Sequence, residues 1–192
     1  RIKDPIPYNE MNPKFDWLTE TEPADHLNTV SAIITDWVSQ DSCKTLGLSY
    51  RDGRHAEILS DKFGVTQIDF IDYQSLTSDK YFKIETIQHL ITEKFEVFLK
   101  VYGKFDFILA NRILHHAHDP LAFLSGISNM LTEEGFIYFE VPDCQRGFID
   151  LDYTILFEEH TLYFTKNSLC NLLEHAGYEI QWCFEYMYPV EN

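Results

Sequence analysis

Positive charge is scarce in this sequence: 15 lysines and arginines face 31 aspartates and glutamates among 192 residues, a formal net charge of -16. The few cations are scattered, so neither nucleic acid nor an anionic membrane is expected as the main partner. Cysteine is as sparse. Cys43, Cys144, Cys170 and Cys183 include no close pair, which excludes a ribbon-type zinc site and a disulfide framework. They read as reduced thiols, the expectation for a cytoplasmic protein. No apolar run approaches the roughly 20 residues of a membrane-spanning helix. The polar opening "RIKDPIPYNEMNP" carries no signal-peptide pattern. An initiator methionine is missing too, which reads as a domain excised from a longer chain.

Apolar residues, by contrast, are plentiful. They make up 45% of the chain, and aromatics 15%, enough for one well-packed globular domain at this length. Residues 1–22 hold three of the seven prolines in a polar setting and read as an arm, with the domain over 23–192. From Pro23 onward, Leu27, Val30, Ile34, Trp37 and Val38 keep the rhythm of a helix packed on one face. "CKTLGLS" reads as a strand, "HAEILSDKFG" as a helix closed by Gly64, and "VTQIDFID" as a strand. A strand is expected within "TIQHLI" and a helix over "EKFEVFLKVYG". "FDFILA" is a continuous apolar run of the kind buried on both sides in a parallel sheet.

Asp119 and Pro120 then open a helix whose expected inner face is Leu121, Leu124, Ile127 and Leu131, ended by Gly135. "GFIYFEVPD" is a strand and "TKNSLCNLLEHAGY" a capped helix with Leu169, Leu172, Leu173 and Ala176 inward. "EIQWCFEYMY" reads as a closing strand. Strands alternating with helices predict an α/β fold with a mostly parallel sheet, helices on both faces, and ligands at the carboxyl ends of the strands.

Those strand ends hold the residues that carry chemistry. "LGLSYRDG" is a turn from strand into helix, where glycine lets backbone approach a ligand. Only Gly47 and Gly53 are present there. Asp69 stands near the end of the next strand, where a carboxylate either accepts ribose hydroxyls or caps a turn. "LFEEHTLYF", residues 156–164, sets Glu158, Glu159 and His160 among bulky apolar neighbours. Those polar groups either face solvent or line a pocket in which a proton moves.

"FDFILANRILHHAHDPLAFLSGISNMLTEEGFIYFEVPD" resembles the middle of a class I S-adenosylmethionine-dependent methyltransferase. "DYTILFEEHTLYFTKNSLCNLLEHAGYEI" resembles the C-methyltransferases that act on nucleotide-linked keto-sugars. The resemblance implies a Rossmann-like fold, S-adenosylmethionine as cofactor, and methyl transfer to carbon or oxygen of a small polar acceptor, best matched by a sugar or nucleotide-linked sugar. By position it gives Gly47, Ser49, Asp52, Gly53, Asp69 and Asn111 to the cofactor, and Glu140 to the acid of "EVP". It gives Glu159, His160 and Tyr163 to the reaction centre. His160 is the implied general base, an imidazole with an ordinary pKa near 6.5 being suited to accept a proton at neutral pH.

The chain departs from the resembled pattern where Gly47 replaces an acid and Ser49 a glycine, and where Phe157 and Glu158 replace tyrosine and histidine. The zinc domain and carboxyl-terminal substrate domain of those enzymes have no counterpart within these 192 residues. These departures keep open an alternative, a methyltransferase-like scaffold domain of a larger protein. "HHAH", residues 115–118, is expected to hold no metal: His115 and His116 are sequence neighbours with no paired carboxylates beside them, and the resemblance sets His116 at the cleft.

Overall fold

The computed structural model describes residues 24–37, 43–48, 52–63, 67–70, 95–156 and 160–186. Among these, α1 is Ala24–Trp37, β1 Lys44–Gly47, α2 Gly53–Phe63, β2 Gln67–Phe70, α3 Phe95–Tyr102 and β3 Phe105–Asn111. A 3-10 turn, Leu114–His116, leads to α4 (Pro120–Asn129) and β4 (Leu131–Glu140). Helix α5 (Gln145–Asp150), a second 3-10 turn (Tyr153–Ile155) and α6 (Lys166–His175) complete the described order. The expected arm, the "TIQHLI" strand and Gly64 lie outside the described residues. No described helix is long and apolar enough to cross a membrane.

The four strands pair in parallel in the order β2-β1-β3-β4. Successive side chains of β3 point to opposite faces, so the sheet divides two apolar layers. On one face Leu46, Ile108 and Ala110 pack with Phe123, Leu124 and Ile127 of α4 and Leu173 of α6. On the other, Phe107 and Leu109 pack with Val30 and Ile34 of α1, Leu59 of α2 and Tyr138. Helices on both faces of a parallel sheet are the predicted architecture. Leu46, Leu48, Phe107, Ile108 and Leu109 are buried, while Ile137 and Phe139 are half-buried against the first layer.

Helix α4 stops at Asn129, not near Gly135, because Met130 N bonds back to Ile127 O and Met130 O accepts from Phe105 N at 2.8 Å. Leu131 pairs with Phe105 as the start of β4, and a register shift separates it from the Phe107–Phe136 pair. Gly135 sits in that irregularity, where an added Cβ would meet Phe105 O and Thr132 O at 3.1 Å. The glycine serves a close backbone approach and no helix end. Leu121 is exposed, and Phe123 takes the inner place expected of it.

Residues 179–186 form no strand. Their alternation reflects packing on α6: Ile180 joins the first core layer, Lys166 Nζ pairs with Glu185 at 3.7 Å, and the free thiols Cys170 and Cys183 touch at 3.8 Å. Likewise the described part of "LFEEHTLYF" is no strand. It makes a single bridge, Asp143 with Phe164, and Phe164 is buried.

Candidate functional site

Parallel strands deliver their carboxyl ends to one edge, where Asn111 ends β3 and Glu140 ends β4. At the end of β3, Asn111 donates both its backbone N and its side-chain Nδ2 to Asp52 Oδ1, at 3.0 and 2.7 Å. Asp52 is wholly buried just before α2. The clip ties two of the expected cofactor residues together. It leaves Asn111 Oδ1 buried and without a hydrogen-bond partner among the described residues. Gly47 ends β1, and its register partner in β3 is Leu109. Asp69 lies in β2 opposite Leu46. Gly53 begins α2, and Ser49 lies outside the described residues.

Beside this clip stands a half-buried ionic cluster. Arg112 Nε donates to Glu140 Oε1 at 2.8 Å, and Tyr138 Oη donates to Glu140 Oε2 at 3.0 Å. His26 Nε2 lies 3.0 Å from the same Oε2. An ionised carboxylate only accepts, so Nε2 carries the donated proton. Burial alone would push the Glu140 carboxyl up, but the His26 hydrogen bond and the Arg112 charge override it and hold the pKa at about 2. Arg112 adopts the left-handed backbone, φ 51, and its N–H donates to Glu140 O at 2.7 Å. One residue thus binds Glu140 through both backbone and side chain, which holds a conformation unusual outside glycine. His55 packs near Tyr138, ring centroids 5.7 Å apart, and desolvation lowers its pKa to about 4.

Four residues past Asn111, the 3-10 turn presents His115 and His116, both buried. The His160 ring stands edge-on to both, with centroids 4.5 Å from His115 and 5.0 Å from His116. The Tyr163 ring lies 5.9 Å from it. The segment is fixed by backbone: His115 O accepts from Thr161 N at 3.1 Å and Leu162 N at 3.0 Å, and Thr161 Oγ1 donates to Ala117 O at 2.8 Å. His160 and Tyr163 are therefore together, in the segment before α6 that docks against the loop following β3. Glu159 lies outside the described residues.

A family model described as a methyltransferase domain matches residues 20–181. The chain belongs to that methyltransferase family. Its sheet and flanking helices fit the Rossmann-like class I fold of the enzymes that depend on S-adenosylmethionine. A chain of the complex between the Haloferax volcanii Trm112 methyltransferase activator and a methyltransferase superposes with TM-score 0.53 at 12% identity, covering 84% of this chain and 73% of that one. The C-methyltransferase NovU of Streptomyces niveus is 29% identical over 79 residues, 41% of this chain. The match spans only 19% of that relative.

Sequence reading missed His26, His55 and Arg112. Arg112 had a signal: a cation directly after a mostly apolar, buried strand must reach either solvent or an acid. His26 and His55 had none, because an isolated histidine on a helix does not announce what it faces.

Proposed function

We propose that the domain is an S-adenosylmethionine-dependent methyltransferase acting on a small polar acceptor, a sugar or nucleotide-linked sugar, with His160 as the base. The observation that carries the reading is the orphaned Asn111 Oδ1 at the carboxyl end of β3, in a chain of this family. A buried acceptor without a donor costs about 1–3 kcal/mol unless something supplies one, and a ligand amine or amide does so. The site thus fits the cofactor. Gly47, Ser49, Gly53 and Asp69 would hold it with Asn111, the carboxylate of Asp69 accepting ribose hydroxyls. Asp52 acts one step back, because its Oδ1 already takes both Asn111 donors and so orients the amide.

The bound cofactor supplies the methyl group as an electrophile on a sulfonium. The chain's own task is to take the acceptor's proton. His160 accepts it, Glu159 orients the ring or stabilises its charged form, and Tyr163 lines the same pocket. The likeness to a C-methyltransferase over 79 residues favours carbon as the acceptor atom.

The test is calorimetric titration with S-adenosylhomocysteine, followed by turnover on nucleotide-linked keto-sugars. Wild type should release binding heat, and Asp69→Ala should lose most of it without unfolding. His160→Ala should bind normally yet turn over about 100- to 10,000-fold more slowly. No heat at millimolar ligand sinks the reading.

A further inference from the structure

Three imidazoles meet where the sequence offered only two. His115 and His116 adjoin in the 3-10 turn, their ring centroids 4.0 Å apart. His160, far along the chain, completes the group. One ligating atom from each residue lies within 4.8 Å of the other two.

We propose that His115, His116 and His160 form a three-histidine site for a late first-row divalent ion of the zinc type. Imidazole nitrogen suits zinc, cobalt and nickel, whereas magnesium and calcium demand oxygen. Zinc–nitrogen bonds of about 2.0–2.1 Å require the three nitrogens to draw in by roughly an ångström, which the soft χ2 torsion of histidine permits. The backbones need not move. His115 O holds the Thr161 and Leu162 amides, so turn and loop are already docked, and the rings start together. Two of the three are buried, which limits the water competing for the ion. Three protein nitrogens are also the ligand count of an open zinc site. The formal charge of -16 raises the local concentration of any divalent cation.

A consequence follows that rests on the proposed base. A neutral imidazole has one lone pair, so an ion bound at His160 occupies the electrons that would take the acceptor's proton. The loaded domain is then switched off, and metal release switches it on.

The test uses chelator-stripped protein and the metal alone. Calorimetry with Zn2+ should give one ion per chain, with Mg2+ giving no heat at the same concentration. Co2+ should produce visible bands of tetrahedral intensity without thiolate charge transfer, which separates this site from the four cysteines. His116→Gln should weaken zinc at least tenfold, as should His115→Gln, while His118→Gln should not. Absence of one-to-one binding, or unchanged affinity in both His115→Gln and His116→Gln, overturns the site. If one variant fails to fold, the cobalt spectrum of the wild type and the other variant decide. Zinc should also stop turnover of the wild type in step with occupancy. Zinc bound at one per chain with turnover intact overturns the shared lone pair. Metal binding is read without any substrate, so a failed methyl-transfer reading cannot mimic a failed site.

Discussion

Three donors, from α1, from β4 and from the turn after β3, converge on the carboxylate of Glu140. Its folded pKa of about 2 lies below the ordinary 4.5 because of His26 and Arg112. The stability this lends is present above about pH 4.5 and is lost as pH falls toward 2. His55 acts higher on the scale. It is buried neutral, with its pKa lowered from 6.5 to about 4 by desolvation, so the unfolded chain takes up the proton first. Stability is complete above about pH 6.5 and falls as pH drops through 6.5 toward 4. Each shift corresponds to about 3 kcal/mol at full effect. Urea midpoints measured from pH 7.5 to 4.5 should therefore decline steadily, and His55→Gln should flatten that decline. An equally steep decline in His55→Gln would show that another group carries it. Glu140→Ala should cost about 3–5 kcal/mol at neutral pH, since it removes the one carboxylate that Arg112, His26 and Tyr138 share.

Helix α6 was the most legible element, and its start shows why. Thr165 Oγ1 accepts from Ser168 N, and Ser168 Oγ reciprocates to Thr165 N, a closed capping box. Thr165→Ala should cost about 1 kcal/mol, read as a lower urea midpoint at unchanged slope. An unchanged midpoint would mean that packing of Leu173 alone fixes the helix. Caps and apolar rhythm are local, and they gave α1, α4 and α6 and the buried strands β1 and β3 in the sequence. What depended on partners distant in the chain did not show. The 179–186 segment alternates like a strand but lies on α6, and Leu131 continues a helical rhythm but bonds as a strand. In the site, the motif positions Asp52 and Asn111 were legible as residues, though not as a pair. His160 was legible from its neighbours, but its meeting with His115 and His116 is a product of the fold, and adjacency along the chain had argued against a metal there.

Over the whole molecule, the sheet separates two chemistries. The layer of α1 and α2 carries the Glu140 cluster, the layer of α4 and α6 borders the three imidazoles, and Asn111 stands at the strand end between them. Every described strand pair is parallel, and this has a consequence in time. Parallel neighbours cannot close through a tight turn, and β1 must find β3 across some sixty residues, Thr45 opposite Phe107. Among the described residues no hairpin offers a quick nucleus, and neither helical layer has a surface to settle on until the two central strands have met. Refolding should accordingly run in milliseconds to seconds, with that pairing as the slow event. Ile108→Val, at the heart of β3, should slow refolding in stopped-flow measurements, while Thr165→Ala should mainly hasten unfolding. The reverse pattern would mean that α6 and its layer assemble first and the sheet is threaded afterwards.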